Sequence, residues 1–360
     1  MRRQQLYRLK RAELAWCLAG FLVIQAALAV AVEYFWPMTR DPEYTAKERC
    51  LLERLREEPG RPLVLVMGSS RTAQGVDAEG LNDRSDGPLV FNFGIPGSGP
   101  MMELTCLQRL LSAGVHPDLV VFEIMPLYLN QAGNRTLEER HLDAARLQQG
   151  EAAELSPYCT HFDGWFLPWV GARLLPSYRH QAELRDAFAL DVGTSRHPSA
   201  DAMSSMDAYG WQPQVKELSD EQRRERTAVA LRQYRDFARP FQLGEKPVRA
   251  VRDLLKFCRN RQIATAFLVM PEGSAFRALY GEDATRSIDF FFESMCREFD
   301  VPLIDARTWV DDDGFYDSHH LLREGTAQFL ARFQCEAFPQ LLALLPQRRP
   351  SDGAVASGSR

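Results

Sequence analysis

Residues Leu14–Val32 form an apolar run interrupted in polarity only by the amide of Gln25. As a helix the run is about 28 Å long, close to a hydrocarbon core of roughly 30 Å. Arg2, Arg3, Arg8, Lys10 and Arg11 precede it, and Glu33 with the aromatic trio Tyr34, Phe35 and Trp36 follows it. A buried helix of a soluble protein needs neither flank. A membrane-spanning segment is bounded in this way, with the basic side held in the cytoplasm. Residues 1–40 are therefore expected to be a cytoplasmic basic stub and an uncleaved single-pass anchor, with the rest of the chain exported. The rival reading is a cleaved signal peptide with Ala27-Leu28-Ala29 as its small-residue site, but that site lies inside the run instead of after it.

Beyond the anchor, residues 41–60 read as a polar helix leading away from the membrane. Short apolar runs then alternate with amphipathic ones. Strands are expected at Pro62–Met67, Leu89–Asn92, Leu119–Glu123, Ala264–Val269 and Pro302–Ile304, and helices near 100–114, 246–260, 284–298 and 322–344. Such alternation predicts an α/β fold, a three-layer sandwich with about five parallel strands and helices on both faces. Val120, Val121 and Phe122 read as a strand buried on both sides. Between about 127 and 245 the alternation fails. That stretch carries Trp165, Trp169 and Trp211, with helical patterns at 137–153 and 219–238. It reads as a mainly helical insertion in one domain spanning 41–345, either covering the sheet's carboxyl edge or elaborating the fold without touching substrate. Residues 346–360 are small and polar, as in a disordered tail.

The 360 residues carry a formal net charge of -5 and no basic stripe with interleaved aromatics, so nucleic acid is not an expected partner. The seven cysteines include no Cys-x-x-Cys pair, which argues against zinc. Six of them follow the anchor and would face an oxidising space, as buried thiols or as disulfides whose pairing the sequence does not assign.

Three segments carry chemistry. Gly68-Ser69-Ser70-Arg71 follows the first strand, where a small-residue turn exposes a hydroxyl at a sheet's carboxyl edge. Its plain alternative is a helix cap at Ser70 or Thr72. Asn92 and Gly97 frame a Gly- and Pro-rich loop after the second strand, which by itself is also an ordinary connection. Asp317-Ser318-His319-His320 supplies a carboxylate and an imidazole three residues apart, otherwise a cap and an exposed ring. A hydroxyl, a base and an orienting carboxylate are the parts of nucleophilic acyl transfer. A metal site from His319, His320 and Asp311–Asp313 is disfavoured, because adjacent histidines seldom converge on one ion. Arg71 is a candidate for holding an oxyanion or an anionic or sugar substrate, or is a plain capping residue. Glu272 lies on the same sheet edge, with capping or solvation as its default.

These blocks resemble the SGNH/GDSL hydrolase superfamily over roughly 60–130 and 250–335. The Gly-Ser-Ser-Arg form is similar to its membrane-anchored, exported branches, which include proteins of teichoic-acid alanylation and exopolysaccharide acetylation. The resemblance implies Ser70 as nucleophile, His320 as base and Asp317 as its orienter. It implies the amides of Ser70 and Gly97 as oxyanion donors, with Asn92 of the same block counted with Gly97 and Arg71 among the oxyanion- or substrate-binding residues. His319 is off the Asp-x-x-His spacing and is expected to be a neighbouring loop residue. The family's third block departs here: no Asn follows the third strand directly, where Glu123 stands, and Asn130 comes later. The implied activity is that of a serine esterase or O-acyltransferase acting on an acylated saccharide, wall polymer or lipid, without metal or organic cofactor. The alternative is an envelope assembly or binding protein that keeps the fold without turnover.

Overall fold

The computed structural model describes residues 2–82, 87–131, 135–188, 205–214 and 218–346. The tail expected to be disordered lies, from residue 347 on, outside the described residues. In chain order the principal elements are α1 (Arg2–Val30), α2 (Pro42–Glu57), β1 (Leu63–Gly68), α3 (Ser70–Gly75), β2 (Leu89–Gly94), α4 (Pro100–Ser112), β3 (Leu119–Glu123), α5 (Phe162–Leu174), α6 (Asp220–Ala238), α7 (Glu245–Asn260), β4 (Ala264–Val269), α8 (Glu282–Phe299), β5 (Leu303–Asp305) and α9 (Arg323–Arg332).

The strands form one parallel sheet in the order β2-β1-β3-β4-β5. β1, β2 and β3 are buried along their whole length, and successive side chains divide between two cores. Leu65, Met67, Phe91, Phe122 and Phe267 face α2, α4, α7 and α8. Val64, Val66, Val90, Val121 and Leu268 face Val76, Phe329, Phe333 and Leu341 on the other side. This is why the strands read as continuous apolar runs. The helices are amphipathic at the matching period. Along α7, for instance, Ala250, Val251, Leu254, Leu255 and Cys258 form one buried stripe. Each fully buried large apolar side chain contributes roughly 1.5–3 kcal/mol.

The apolar helix continues from α1 through a wider turn at Ala31–Phe35, and the segment Lys10–Phe35 is long and apolar enough to cross a membrane. Its joint to the sheet domain is built from buried charge. Arg40 donates to the Glu33 carbonyl (2.6 Å). Asp41 caps α2 at Tyr44 and accepts from Arg109 (2.8 Å). Arg109 also forks onto both oxygens of Glu151 (2.7 Å each).

Residues 127–245 contribute no strand to the sheet among the described residues. The excursion starts and ends at one stem: Asn130 bridges Leu243, Gln131 donates to the Gln242 carbonyl and Gly244 to that of Leu129. The helix expected over 137–153 is instead three short turns, Leu137–His141, Ala144–Arg146 and Glu151–Leu155. Asp143 caps the second, and Gly150 takes φ 98° before the third. The helix expected over 322–344 stops at Arg332 and passes through a wide turn to Phe338–Leu342. Pro339 has no N–H for the regular ladder there. All seven cysteines are unpaired.

Candidate active site

Ser70 is the first residue of α3, at the carboxyl end of β1. β1 lies between β2 and β3, so the chain reverses its direction of travel across the sheet at this strand. In open parallel sheets that reversal opens a crevice at the strand ends. Ser69 caps α3 by accepting from the Arg71 amide (3.1 Å). Oε2 of Glu123, the last residue of β3, accepts from the Ser69 amide, the Ser69 hydroxyl and the Thr72 hydroxyl at 2.8, 2.8 and 2.9 Å. Gly68 makes this approach feasible, since a Cβ there would fall 2.6 Å from the Glu123 Cβ. Ser70 itself is half-buried and open to solvent on one side.

The other half of the site comes from the turn before α9. Phe315 bridges Leu321, and Tyr316 donates to the His320 carbonyl (2.8 Å), closing a tight loop. Ser318 at its tip takes φ 73°. It is pinned by the Gly273 amide on its carbonyl and by the Phe276 amide on its hydroxyl. Within the loop, Asp317 Oδ1 accepts from the His320 amide (2.9 Å) and Oδ2 lies 2.9 Å from His320 Nδ1. The opposite ring nitrogen, Nε2, is 2.8 Å from the Ser70 hydroxyl. An ionised carboxylate only accepts, so Nδ1 carries the ring proton and Nε2 accepts from Ser70. Burial alone would raise the Asp317 carboxyl; His320 and His319 beside it hold it well below the usual carboxylate range.

His319 is wholly buried. Its ring stacks on Phe276 (4.8 Å), meets Tyr234 edge-on (4.9 Å) and lies 4.0 Å from the His320 ring. Its Nδ1 is 3.1 Å from Asp317 Oδ1, without hydrogen-bond alignment. Burial and the neighbouring His320 push it down to about 4, so it is neutral at physiological pH. Ligand atoms of Asp317, His319 and His320 lie within 4.8 Å of one another. Both nitrogens of His320 are already engaged, and Asp312 is committed elsewhere, accepting from the Ser274 amide.

Asn92 and Arg71 face inward. The Asn92 amide donates to the carbonyls of Thr72 (2.8 Å) and Val76 (2.7 Å) and accepts from the Gly94 amide (2.9 Å), tying α3 to β2. Arg71 is 2 % exposed. It donates to Glu272 (3.1 Å) and to the carbonyls of Met270 (2.6 Å) and Pro271 (3.2 Å), with its Nε 3.6 Å from Glu123. It clamps the carboxyl ends of β1, β3 and β4. The expectation that these two residues meet a substrate is thus replaced by a positioning role: neither polar group reaches the surface. Glu272 is equally buried. Burial raises its carboxyl, against the pull of Arg71 and a hydrogen bond from Tyr280. Gly97 takes φ 80°, and a Cβ there would sit 2.8 Å from His141. Asn130 is spent on the insertion's stem, donating to Phe237 and Pro240 and accepting from Gln242.

Lys47 was not anticipated. It is fully buried, donates to the carbonyls of Asn92 (3.0 Å) and Gly210 (2.6 Å), and is pushed down to about 7 by burial. It joins α2 to the residue that holds α3. One signal was available: Tyr44, Lys47 and Leu51 share one helical stripe. Residues 209–212 complete the shell. The Tyr209 carbonyl accepts from the Asn92 amide, covering the β2 edge, and the Trp211 indole donates to Gln74 in α3.

The chain is similar over residues 23–144 to a family described as a protein of unknown function (DUF1574). The match takes in the second half of the apolar helix, β1 to β3 and Ser70, but neither Asp317 nor His320. No curated protein matches the chain.

Proposed function

We propose that this protein is a serine esterase or O-acyltransferase of the SGNH type, with its three-layer α/β domain held at the membrane by α1 and the amino terminus in the cytoplasm. The observation that carries the reading is the relay Ser70–His320–Asp317, joined at 2.8 and 2.9 Å across 250 residues of sequence. Ser70 Oγ attacks an ester carbonyl and passes its proton to His320 Nε2. The tetrahedral oxyanion forms beside the Ser70 amide at the start of α3, which has no acceptor within the helix, the Arg71 amide being taken by the Ser69 hydroxyl. The Gly97 amide is the second expected donor. His320 then protonates the departing alkoxide as the ester C–O bond breaks, leaving Ser70 acylated. Water or a sugar hydroxyl gives its proton to His320 and attacks the acyl carbon; the bond to Ser70 Oγ then breaks as His320 returns that proton to it. Asp317 holds the ring tautomer and stabilises the imidazolium. A site carried beside an apolar helix suits an acylated envelope saccharide, wall polymer or lipid.

The test is a fluorophosphonate probe on the purified full chain in detergent. The parent is labelled, and Ser70→Ala is not while remaining folded. Labelling that persists in Ser70→Ala, or a folded parent that does not react, sinks the proposal. A burst of leaving group followed by transfer to added saccharide selects the transferase over the esterase. One observation favours a non-catalytic assembly role: with Asn130 in the stem, no asparagine side chain among the described residues that follow β3 is placed to complete an oxyanion site. An unreactive parent would mean that role.

A further inference from the structure

Helix α5 is apolar along its length except for Asp163 in its first turn and Arg173 in its last. Trp165 and Ala172 point inward, whereas Gly164, Leu167, Pro168, Gly171, Leu174, Leu175 and Tyr178 follow one another at helical spacing on the outward face. No charge interrupts that stripe. Of the seven exposed large apolar side chains beyond Trp36 among the described residues, five lie between Leu167 and Phe188. A water-facing helix presents charge on this side, and one that is apolar all round is buried or in lipid.

The neighbour of α5 says which. The anchor turns one stripe, Gln25, Leu28, Ala29 and Val32, toward the body of the protein. Gln25 is 4 % exposed and its Oε1 accepts from the Ser177 amide (3.3 Å). Arg173, one turn earlier, reaches Glu33 at 3.1 Å. The chain therefore descends along the anchor from residue 173 to residue 177. Gln25 lies seven residues before the end of the apolar run, about 10 Å inside it. Whatever solvates the outward face of the anchor at Gln25 also solvates Leu174, Leu175 and Tyr178.

We propose that the outward face of α5 and the turn after it, Leu167–Tyr178, is immersed in a phospholipid leaflet alongside the carboxyl end of the anchor. It is a second, monotopic membrane contact. It rests on the anchor reading and is independent of the chemistry at Ser70. The apolar stripe enters the acyl region. Arg173, stacked over Trp169 at 3.9 Å and paired with Glu33 at the end of the apolar run, sits at the level where long cationic side chains reach the headgroups.

The experiment replaces Leu174, Tyr178, Ile24 or Phe290 singly by p-benzoylphenylalanine in the full chain, reconstituted in phosphatidylcholine nanodiscs. Irradiation and intact-mass measurement follow. The expected result is a mass shift of one phospholipid at Leu174 and Tyr178, as at Ile24 in the anchor, with none at Phe290 on α8. An adduct at Ile24 with none at Leu174 and Tyr178 overturns the proposal. So does a cross-link from these positions to a second copy of the chain, which would make the stripe a protein interface. Absence of an adduct at Ile24 as well removes the anchor on which the inference stands.

Discussion

Glu123→Gln is the sharpest probe of how the Ser70 turn is held. One carboxylate oxygen receives three donors within 2.9 Å, from Ser69 twice and from Thr72. Hydrogen bonds to a charged group contribute about 1.5–3 kcal/mol and neutral ones about 0.5–1.5, so neutralising the acceptor weakens the set by roughly 3 kcal/mol. The amide has only one oxygen. If it faces the three donors, the new NH2 faces Arg71 Nε, which now stands 3.6 Å from a carboxylate oxygen. An offset exists, because Arg71 touches two carboxylates and keeps Glu272 after the change. The net loss is set at about 2 kcal/mol, near a 1 M fall in urea midpoint. The assay is urea unfolding of the full chain in detergent, followed by the fluorophosphonate labelling rate under native conditions. That rate should fall by at least about tenfold, since displacing a nucleophile by a fraction of an ångström is costly. A variant as stable and as reactive as the parent would refute the claim that Glu123 sets the turn.

His319 predicts an acid-side effect. Its folded value of about 4 lies below the ordinary 6.5, so between those pH values the unfolded chain binds the proton first. Stability is therefore lost as pH falls through that window, by up to about 3 kcal/mol. His319→Phe keeps a ring against Phe276 and should flatten the difference between unfolding curves at pH 7 and 4.5; parallel parent and variant profiles would contradict this. Gly94→Ala should cost roughly 1–3 kcal/mol and slow labelling of Ser70. The new Cβ would fall 2.9 Å from the Ala73 Cα, and backbone cannot swing aside. Unchanged unfolding would show that α3 and β2 are looser than described.

The sheet was readable because β1, β2 and β3 are buried on both faces. β3 and β4 lie at the bounds their apolar runs indicate, and β1, β2 and β5 differ by one or two residues. Asp317 and His320 were readable because their pairing is local, a carboxylate reaching an amide and a ring three residues on. The inward turn of Arg71 was not readable, since its partner Glu272 is 201 residues away and either residue alone suits a surface. Lys47 was hidden in the same way by its bond to Gly210, 163 residues on. Helix α5 escaped notice because Gly164, Pro168 and Gly171 punctuate it as a loop would be punctuated.

The joint between Glu33 and Asp41 has no slack. Arg40 folds back on the Glu33 carbonyl, and Asp41 is gripped by Arg109 within the sheet domain. A domain on a leash sweeps a hemisphere, but this one stands on a bracket. Ser70 is thereby fixed at a single altitude relative to the apolar helix, so under the proposed function a long polymer has to be delivered to that plane instead of being searched for.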